Sequence, residues 1–261
     1  MKRNYGIDIK WLAVTSFEMK FGSTTVVSDP YVTECVGTDI DWTAIENCNI
    51  ITLSHAHWDH VTDIPRLIEK YSPMILCGDM TAMPLAAWLN YTPSYIYPMY
   101  PDVELDFGEV KVKALYGRHT NLGRGWNDLV ARLENYELCK KDPGIASLQA
   151  VGSMEYRNYL FTTPEGAKLL LWGGIPSVDQ VNICKALKPD IAIIQRPTSL
   201  ENAVAKAEFA AAIGCKVVIP HHHDFMKVDD PKNVNMFREE FLSRVPDGIF
   251  IAPKHGEWIH L

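Results

Sequence analysis

The chain has 261 residues, of which 47% are hydrophobic and 22% are charged, and its formal net charge is −7. This composition is typical of a packed globular protein, and it excludes a disordered or fibrous chain. The negative charge argues against a nucleic-acid-binding surface, and no apolar run approaches the ~18 residues of a membrane helix, so we expect a cytoplasmic protein by default.

The first predicted elements are short apolar runs that end in polar residues. Residues 11–14 and 26–27 predict strands, and the first run is too short to be a signal peptide. Residues 50–53 predict a buried strand. Apolar residues at helical spacing over residues 64–71 then predict a helix, which stops before Pro73.

The middle of the chain predicts both regular and irregular structure. Residues 74–77 predict a strand, residues 82–89 a helix, and residues 92–101 a loop rich in proline and tyrosine. Residues 110–115 predict a half-buried strand that ends near His119.

Residues 120–151 lack periodicity, and they are either an insertion that covers a substrate or an ordinary surface excursion. The rest predicts a hairpin followed by strand, helix and strand, at residues 159–161, 169–172, 191–194, 200–213 and 217–219. Alternating order without repeats or a linker predicts one domain over residues 1–261. The six cysteines form no C-x-x-C pair, which favours reduced thiols.

One cluster of residues carries metal-ligand chemistry. His55 and His57 are separated by one residue, so extended backbone places both rings on one side, where they suit a shared metal. Asp59 and His60 follow as the chain turns toward the helix, and they supply a second set of ligands. Without a ligand, burying this cluster after an apolar strand is costly, so it predicts a metal site.

Other histidines carry weaker signals. His119 alone is typical of a surface or hydrogen-bonded residue, and it gains weight because it follows a predicted strand. Residues 221–223 are all histidine, and adjacent side chains in extended backbone point to opposite sides, so only one or two of them bind a common metal. We interpret His255 and His260 as structural or exposed.

The sequence resembles the metallo-β-lactamase superfamily, whose H-x-H-x-D-H signature is matched in full by residues 55–60. It is more closely similar to the ascorbate-6-phosphate lactonase branch over nearly its whole length. Asp29–Pro30, residues 203–220 and Gly256–Glu257, which resemble that branch's closing strand, carry this similarity. The resemblance implies an α/β fold (α+β in some schemes), a four-layer αββα sandwich with metals at one edge of the paired sheets.

The resemblance also implies the ligand sets. His55, His57 and His119 would hold one metal, and Asp59, His60 and His222 the other, with His222 chosen because the family shows Pro, one residue, then His. The chain departs from the family where Gly173–Gly174 replaces Gly-Asp, whose aspartate bridges two metals, and where Ala13–Val14 replaces Gly-His. Either Asp179 or Asp224 substitutes for the bridge, or the enzyme is mononuclear.

These features predict a metal-dependent hydrolase that uses one or two Zn²⁺, or Mn²⁺, to activate water, with Asp59 as the catalytic residue that orients or deprotonates it. The expected substrate is a small ester, lactone or phosphorylated metabolite. Alternatives are a phosphodiesterase with the same site, or a metal-binding or sensing member without turnover. We expect no nucleic-acid or membrane partner, and the resemblance implies a homo-oligomer. Candidate anion contacts and apolar walls are Arg118, Arg124, Lys227, Trp126, Tyr156 and Trp58.

Overall fold

Two mixed β-sheets pack face to face and carry helices on their outer faces. The computed structural model describes residues 4–118, 137–174, 176–196, 199–224 and 231–261. In that part of the chain each sheet has seven strands. The first sheet has the order β14-β1-β2-β3-β4-β5-β6, with β1 (Ile7–Ala13), β2 (Ser16–Phe21), β3 (Thr24–Ser28), β4 (Ile50–Thr52), β5 (Met74–Cys77), β6 (Ile96–Pro98) and β14 (Trp258–His260).

The second sheet repeats the same arrangement of strand directions. Its order is β13-β12-β11-β10-β9-β8-β7, with β7 (Glu104–Asp106), β8 (Lys111–Tyr116), β9 (Arg157–Thr162), β10 (Lys168–Trp172), β11 (Ile191–Gln195), β12 (Val217–His221) and β13 (Ile249–Phe250). In each sheet three antiparallel pairings are followed by three parallel ones. The parallel strands bring several carboxyl ends to one edge.

The helices lie between the strands in sequence. They are α1 (Trp58–Val61), α2 (Ile64–Tyr71), α3 (Asp79–Leu89), α4 (Glu137–Lys141), α5 (Pro143–Gly152), α6 (Val178–Leu187), α7 (Leu200–Ala212) and α8 (Pro231–Arg244). Short 3₁₀ turns occupy Trp42–Ala44 and Pro93–Tyr95. None of the described helices is long and apolar enough to cross a membrane.

Three apolar clusters give the layer order. The cluster between the sheets joins Ile9 and Phe17 of the first sheet to Phe161 of the second. A second cluster packs Leu67 and other helical residues against the outer face of the first sheet, and a third packs helices α7 and α8 against the second sheet. The predicted four-layer α+β sandwich is therefore confirmed, because both faces of each sheet are apolar and need cover.

Most predicted elements are present, but two regions differ. Within the stretch expected to lack periodicity, residues 137–152 form helices α4 and α5. Residues 92–101 were expected to form a loop, but Ile96–Pro98 forms an edge strand against β5. Proline is tolerated there because an edge strand leaves one side of its backbone unpaired. The closing strand begins at Trp258, after the Gly256–Glu257 pair expected to form it. Five cysteines are free and buried, namely Cys35, Cys48, Cys77, Cys184 and Cys215.

Candidate metal centre

The candidate site lies where strand ends from both sheets meet. β3 and β4 are parallel and lead into Asp29 and the motif loop at residues 54–60. In the second sheet β10, β11 and β12 are parallel, and β12 ends just before His222. Parallel strands end at one edge, so this edge collects the polar residues that follow them.

The motif loop is a tight turn between β4 and α1. Ser54 donates its backbone N–H to Asp29 Oδ1 at 2.7 Å, and the His60 N–H reaches the His57 carbonyl at 2.9 Å. Asp59 has non-helical φ and ψ of −75° and 16° although it lies in the first turn of α1. The turn therefore directs Asp59 and His60 toward the second sheet.

Asp59, His60 and His222 converge at this edge. One ligand atom from each lies within 4.8 Å of the others, and Asp59 and His60 are buried. Carboxylate and imidazole are ligands that zinc accepts, and this spacing suits one cation after small side-chain adjustments. Three of the six sequence-predicted ligands are thus brought together.

Asp29 orients the His60 ring. His60 Nδ1 lies 3.1 Å from Asp29 Oδ2, and His60 Nε2 lies 3.7 Å from Asp59 Oδ2. Burial lowers the pKa of His60, but the charges of Asp29 and Asp59 outweigh it and the net pKa is raised. These carboxylates create a field that favours positive charge, and a cation at Nε2 would satisfy it.

Backbone geometry separates the three consecutive histidines. His222 has φ of +67°, so its side chain leaves the strand direction, and its N–H bonds to the Val14 carbonyl at 2.9 Å. His221 is buried with Nε2 3.3 Å from the Trp172 carbonyl, whereas His223 stacks on Trp11 at 4.5 Å. Burial, with the nearby His60, lowers the pKa of His222 to about 3, so its imidazole is neutral at pH 7.

His55 and His57 form the other half of the motif. Their ring centroids lie 4.4 Å apart, and the His55 ring is 4.0 Å from that of His60. His57 Nε2 is hydrogen-bonded to Ser153 Oγ at 2.8 Å, so helix α5 ends against this predicted ligand. His119, predicted as the third ligand here, lies outside the described residues, as do Arg124, Trp126 and Lys227.

The glycine pair after β10 has no room for an aspartate. Gly174 has φ of +74°, and a Cβ there would stand 2.6 Å from the Arg118 carbonyl oxygen. A Cβ on Gly173 would stand 1.9 Å from the Tyr156 hydroxyl. Below this turn the buried Lys206 ammonium donates to the carbonyls of Gln195 at 2.5 Å and Gly174 at 3.4 Å, and burial lowers the pKa of Lys206 to about 7.

The two aspartates considered as substitutes are placed differently. Asp179 is exposed in the first turn of α6. Asp224 accepts the Val14 N–H at 3.0 and 3.1 Å and faces His255 Nε2 at 3.0 Å. Burial raises the pKa of Asp224, but these hydrogen bonds outweigh it and the net pKa is lowered.

Sequence reasoning missed several polar neighbours of the motif. Ser54 Oγ lies 2.9 Å from His55 Nδ1 and 3.4 Å from His60 Nδ1. Gln149 accepts the Trp58 N–H at 3.0 Å from helix α5. Tyr156, expected as an apolar wall, stacks on His55 at 4.9 Å. Only Ser54 had a local signal, since it directly precedes the motif.

Comparison with known proteins finds similar sequences among metal-dependent hydrolases. Residues 8–129 match the family model described as a beta-lactamase superfamily domain. A UPF0173 metal-dependent hydrolase of Geobacillus sp. (strain WCH70) is 26% identical over 247 residues, which cover 91% of this chain and 92% of the relative. A second one, from Lysinibacillus sphaericus (strain C3-41), is 28% identical over 114 residues, covering 42% of this chain and 48% of that protein.

Solved structures share the fold at low sequence identity. A metallo hydrolase from Ignicoccus hospitalis superposes with a TM-score of 0.68 at 12% identity, covering 97% of both chains. An isothiocyanate hydrolase from Delia radicum gut bacteria gives a TM-score of 0.67 at 14% identity, covering 97% of this chain and 99% of the other. The chain therefore has the metallo-β-lactamase fold, and over most of its length it is similar to UPF0173 metal-dependent hydrolases.

Proposed function

We propose that the protein is a metal-dependent hydrolase whose metal is held by Asp59, His60 and His222. The observation that carries this proposal is the convergence of these three donors from both sheets within 4.8 Å. Sequence similarity to UPF0173 metal-dependent hydrolases supports the same activity.

The donors are preorganised for a cation. Asp29 holds the His60 ring through Nδ1, which leaves Nε2 for a metal, as carboxylate–histidine pairs do in zinc enzymes. His222 is fixed by its backbone, because its N–H bonds to Val14 and its carbonyl accepts from Arg196 Nε at 2.8 Å. The residues present therefore fit Zn²⁺ or Mn²⁺.

The reaction follows from this arrangement. A bound Zn²⁺ or Mn²⁺ supplies a Lewis acid that lowers the pKa of coordinated water toward ~7 and polarises a substrate oxygen. The Asp59 carboxylate orients the attacking water and receives its proton. The His60 ring lies beside this carboxylate, with Nε2 3.7 Å from Asp59 Oδ2. The nucleophile is therefore water and not a protein side chain.

For the substrate we propose a small ester or lactone, or a phosphorylated metabolite. Arg118 is exposed directly after β8, beside Gly174 at the site edge, where a guanidinium can bind an anionic group. A phosphodiester is the second candidate, since the same metal-activated water attacks phosphorus. A member without turnover is the third, and the missing side chain at Gly174 favours it.

The test combines metal analysis with substrate profiling. We expect purified wild type reconstituted with Zn²⁺ or Mn²⁺ to bind metal and to hydrolyse ester, lactone or phosphodiester compounds, and Asp59→Ala to lose both properties. His260→Ala is the matched control, because His260 is exposed and pairs with Asp8. Metal binding without turnover across the panel would support the sensing alternative, and no metal binding in wild type would refute the hydrolase.

A further inference from the structure

A cavity of about 470 Å³ lies beside the candidate metal centre. Segments of both sheets form it, namely Trp11 of β1, the loop at residues 36–37, His223 and Asp224 after β12, and residues 253–255 before β14. Sites for small molecules typically measure ~300–1,000 Å³. The cavity is therefore large enough for a small organic group.

Backbone contacts connect this cavity to the metal centre. Val14 donates its N–H to both carboxylate oxygens of Asp224, at 3.1 and 3.0 Å. The Val14 carbonyl accepts the N–H of the proposed ligand His222 at 2.9 Å. The loop that leaves Asp29 reaches Gly37, where a Cβ would stand 1.9 Å from the Asp224 carbonyl oxygen. The cavity and the metal centre are therefore neighbours at one edge of the sheets.

His255 is held in this cavity from two sides. Its ring stacks on Trp11 with 4.0 Å between centroids, and its Nε2 lies 3.0 Å from Asp224 Oδ2. The Gly256 N–H donates to the Trp11 carbonyl at 2.8 Å, which fixes the backbone beside the ring. A carboxylate accepts hydrogen bonds, so Nε2 is the donor to Asp224. The other ring nitrogen, Nδ1, forms no hydrogen bond with any residue that the structure describes.

The charges in the cavity wall favour a neutral ligand. The Asp224 carboxylate is buried there, so it would repel a second negative charge. The Lys254 ammonium also lines the cavity and disfavours a cation, although it is exposed and lies 3.6 Å from Glu257 Oε1. Ligands with a formal charge of either sign are thus disfavoured.

The remaining surface favours an apolar group that carries a hydrogen-bond donor. Val36 and Pro253 supply apolar lining, and Trp11 lies behind the imidazole. Because Asp224 accepts from Nε2, the neutral ring of His255 presents Nδ1 as an acceptor. A hydroxyl group is the neutral donor that complements it.

We propose that this cavity binds a neutral alcohol or phenol group through a hydrogen bond from its hydroxyl to His255 Nδ1, and that it receives this part of the substrate. The role toward substrate rests on the proposed function. It makes His255 a specificity-determining residue, and it narrows the ester or lactone to one that carries a hydroxyl group.

The first experiment is an NMR titration of the full-length protein, with and without Zn²⁺, that follows the ring signals of His255. The probes are phenol, anisole and benzoate. We expect phenol to bind about fivefold more tightly than anisole, which has no hydroxyl to donate, since one net hydrogen bond contributes about this much. Benzoate should bind more weakly than phenol because of Asp224.

Three variants test the location of the bound probe. His255→Phe keeps a ring on Trp11 and removes Nδ1, so phenol should bind no better than anisole. Val36→Trp fills the cavity from a position that is 57% exposed, and it should abolish binding of both probes. Val178→Trp is the matched control, because Val178 is 77% exposed in helix α6 and does not line the cavity.

The role toward substrate has its own readout in the Zn²⁺-loaded protein. Val36→Trp should raise the KM of hydrolysed esters or lactones roughly fivefold while kcat and Zn²⁺ affinity stay unchanged, since it removes binding that does not depend on the transition state. Val178→Trp should leave all three unchanged. A wild-type KM in Val36→Trp for every hydrolysed compound would refute this role.

Other results would refute the hydroxyl site itself. These are equal affinities of phenol and anisole in wild type, tighter binding of benzoate than of phenol, or phenol binding that survives Val36→Trp. If His255→Phe does not fold, the comparison of probes and the two valine variants decide the question. Wild type that binds no metal refutes the proposed function and the role toward substrate with it, whereas the titration of metal-free protein still decides the hydroxyl site.

Discussion

The two sheets have the same pattern of strand directions, yet they contribute different things to the site. The first sheet supplies carboxylates and imidazoles from one short loop and from Asp29. The second sheet supplies His222, a glycine turn without side chains, and the buried Lys206 beneath it. The first sheet therefore supplies most of the polar side chains of the site. The second sheet supplies one ligand, His222, and a glycine turn that leaves space beside the site.

Removing one predicted ligand from each sheet should give the largest difference in stability between the two sheets. His60→Ala leaves Oδ2 of the buried Asp29 carboxylate without its imidazole partner, so we expect the metal-free protein to lose ~3–5 kcal/mol of unfolding free energy. His222→Ala keeps the pairing of Asp29 with His60 and should cost less, although both variants should lose metal. Urea denaturation of the metal-free proteins measures the difference, and equal losses would contradict the comparison.

Restoring a carboxylate on the second sheet tests whether its glycine turn is fixed. Gly174→Asp places a side chain at φ of +74° and against the Arg118 carbonyl, so we expect a loss of about 2–3 kcal/mol and no additional bound metal. Denaturation and elemental analysis provide the two readouts. A stable variant that gains a second metal would show that the turn readily accepts a bridging ligand.

Much of the first sheet's contribution was predictable, because His55, His57, Asp59 and His60 are adjacent in sequence and follow an apolar strand. His222 was predicted from Pro220 through a family resemblance, and the structure shows why its neighbours differ, since its positive φ separates it from His221. Such a backbone angle leaves no pattern in composition or periodicity.

The contacts from helix α5 could not be predicted, and Tyr156 was predicted only as an apolar wall. Ser153 meets His57 across 96 residues of sequence, and the Tyr156 ring stacks on His55 across a similar span. These contacts depend on how the sheets pack, and single residue types such as Ser or Tyr carry no signal of that packing. Individual strands and helices were predictable because their periodicities extend over many residues, whereas the four-layer arrangement was predicted from the family resemblance.

Lys206 gives the second sheet a distinctive pH dependence. Burial lowers its folded pKa to about 7, below the unfolded value of ~10.4, so between these values the unfolded chain binds more protons. Stability contributed by this group therefore rises with pH from 7 upward. We expect the unfolding free energy to rise ~2 kcal/mol more between pH 7 and pH 9 in wild type than in Lys206→Met. Urea denaturation at each pH measures this difference. An unfolding free energy that changes equally with pH in wild type and Lys206→Met would contradict the role of Lys206.

The smallest expected effect concerns the contact between α5 and the motif. Ser153→Ala removes the hydroxyl bonded to His57 Nε2, so we expect a loss of ~0.5–1.5 kcal/mol and unchanged binding of the metal at Asp59, His60 and His222. Isothermal titration with Zn²⁺ measures the binding. An increase in the number of metals bound would show that Ser153 blocks a second position at His57.

Val14, in a left-handed backbone conformation, links an early strand to residues near the end of the chain. Its φ is +49°, a strained angle for a branched residue, and its N–H and carbonyl are held by Asp224 and His222. Val14 and Asp224 are 210 residues apart. His222 can therefore reach its final position only late in folding, once Val14 and Asp224 have come into contact. High metal affinity should appear only after that contact has formed.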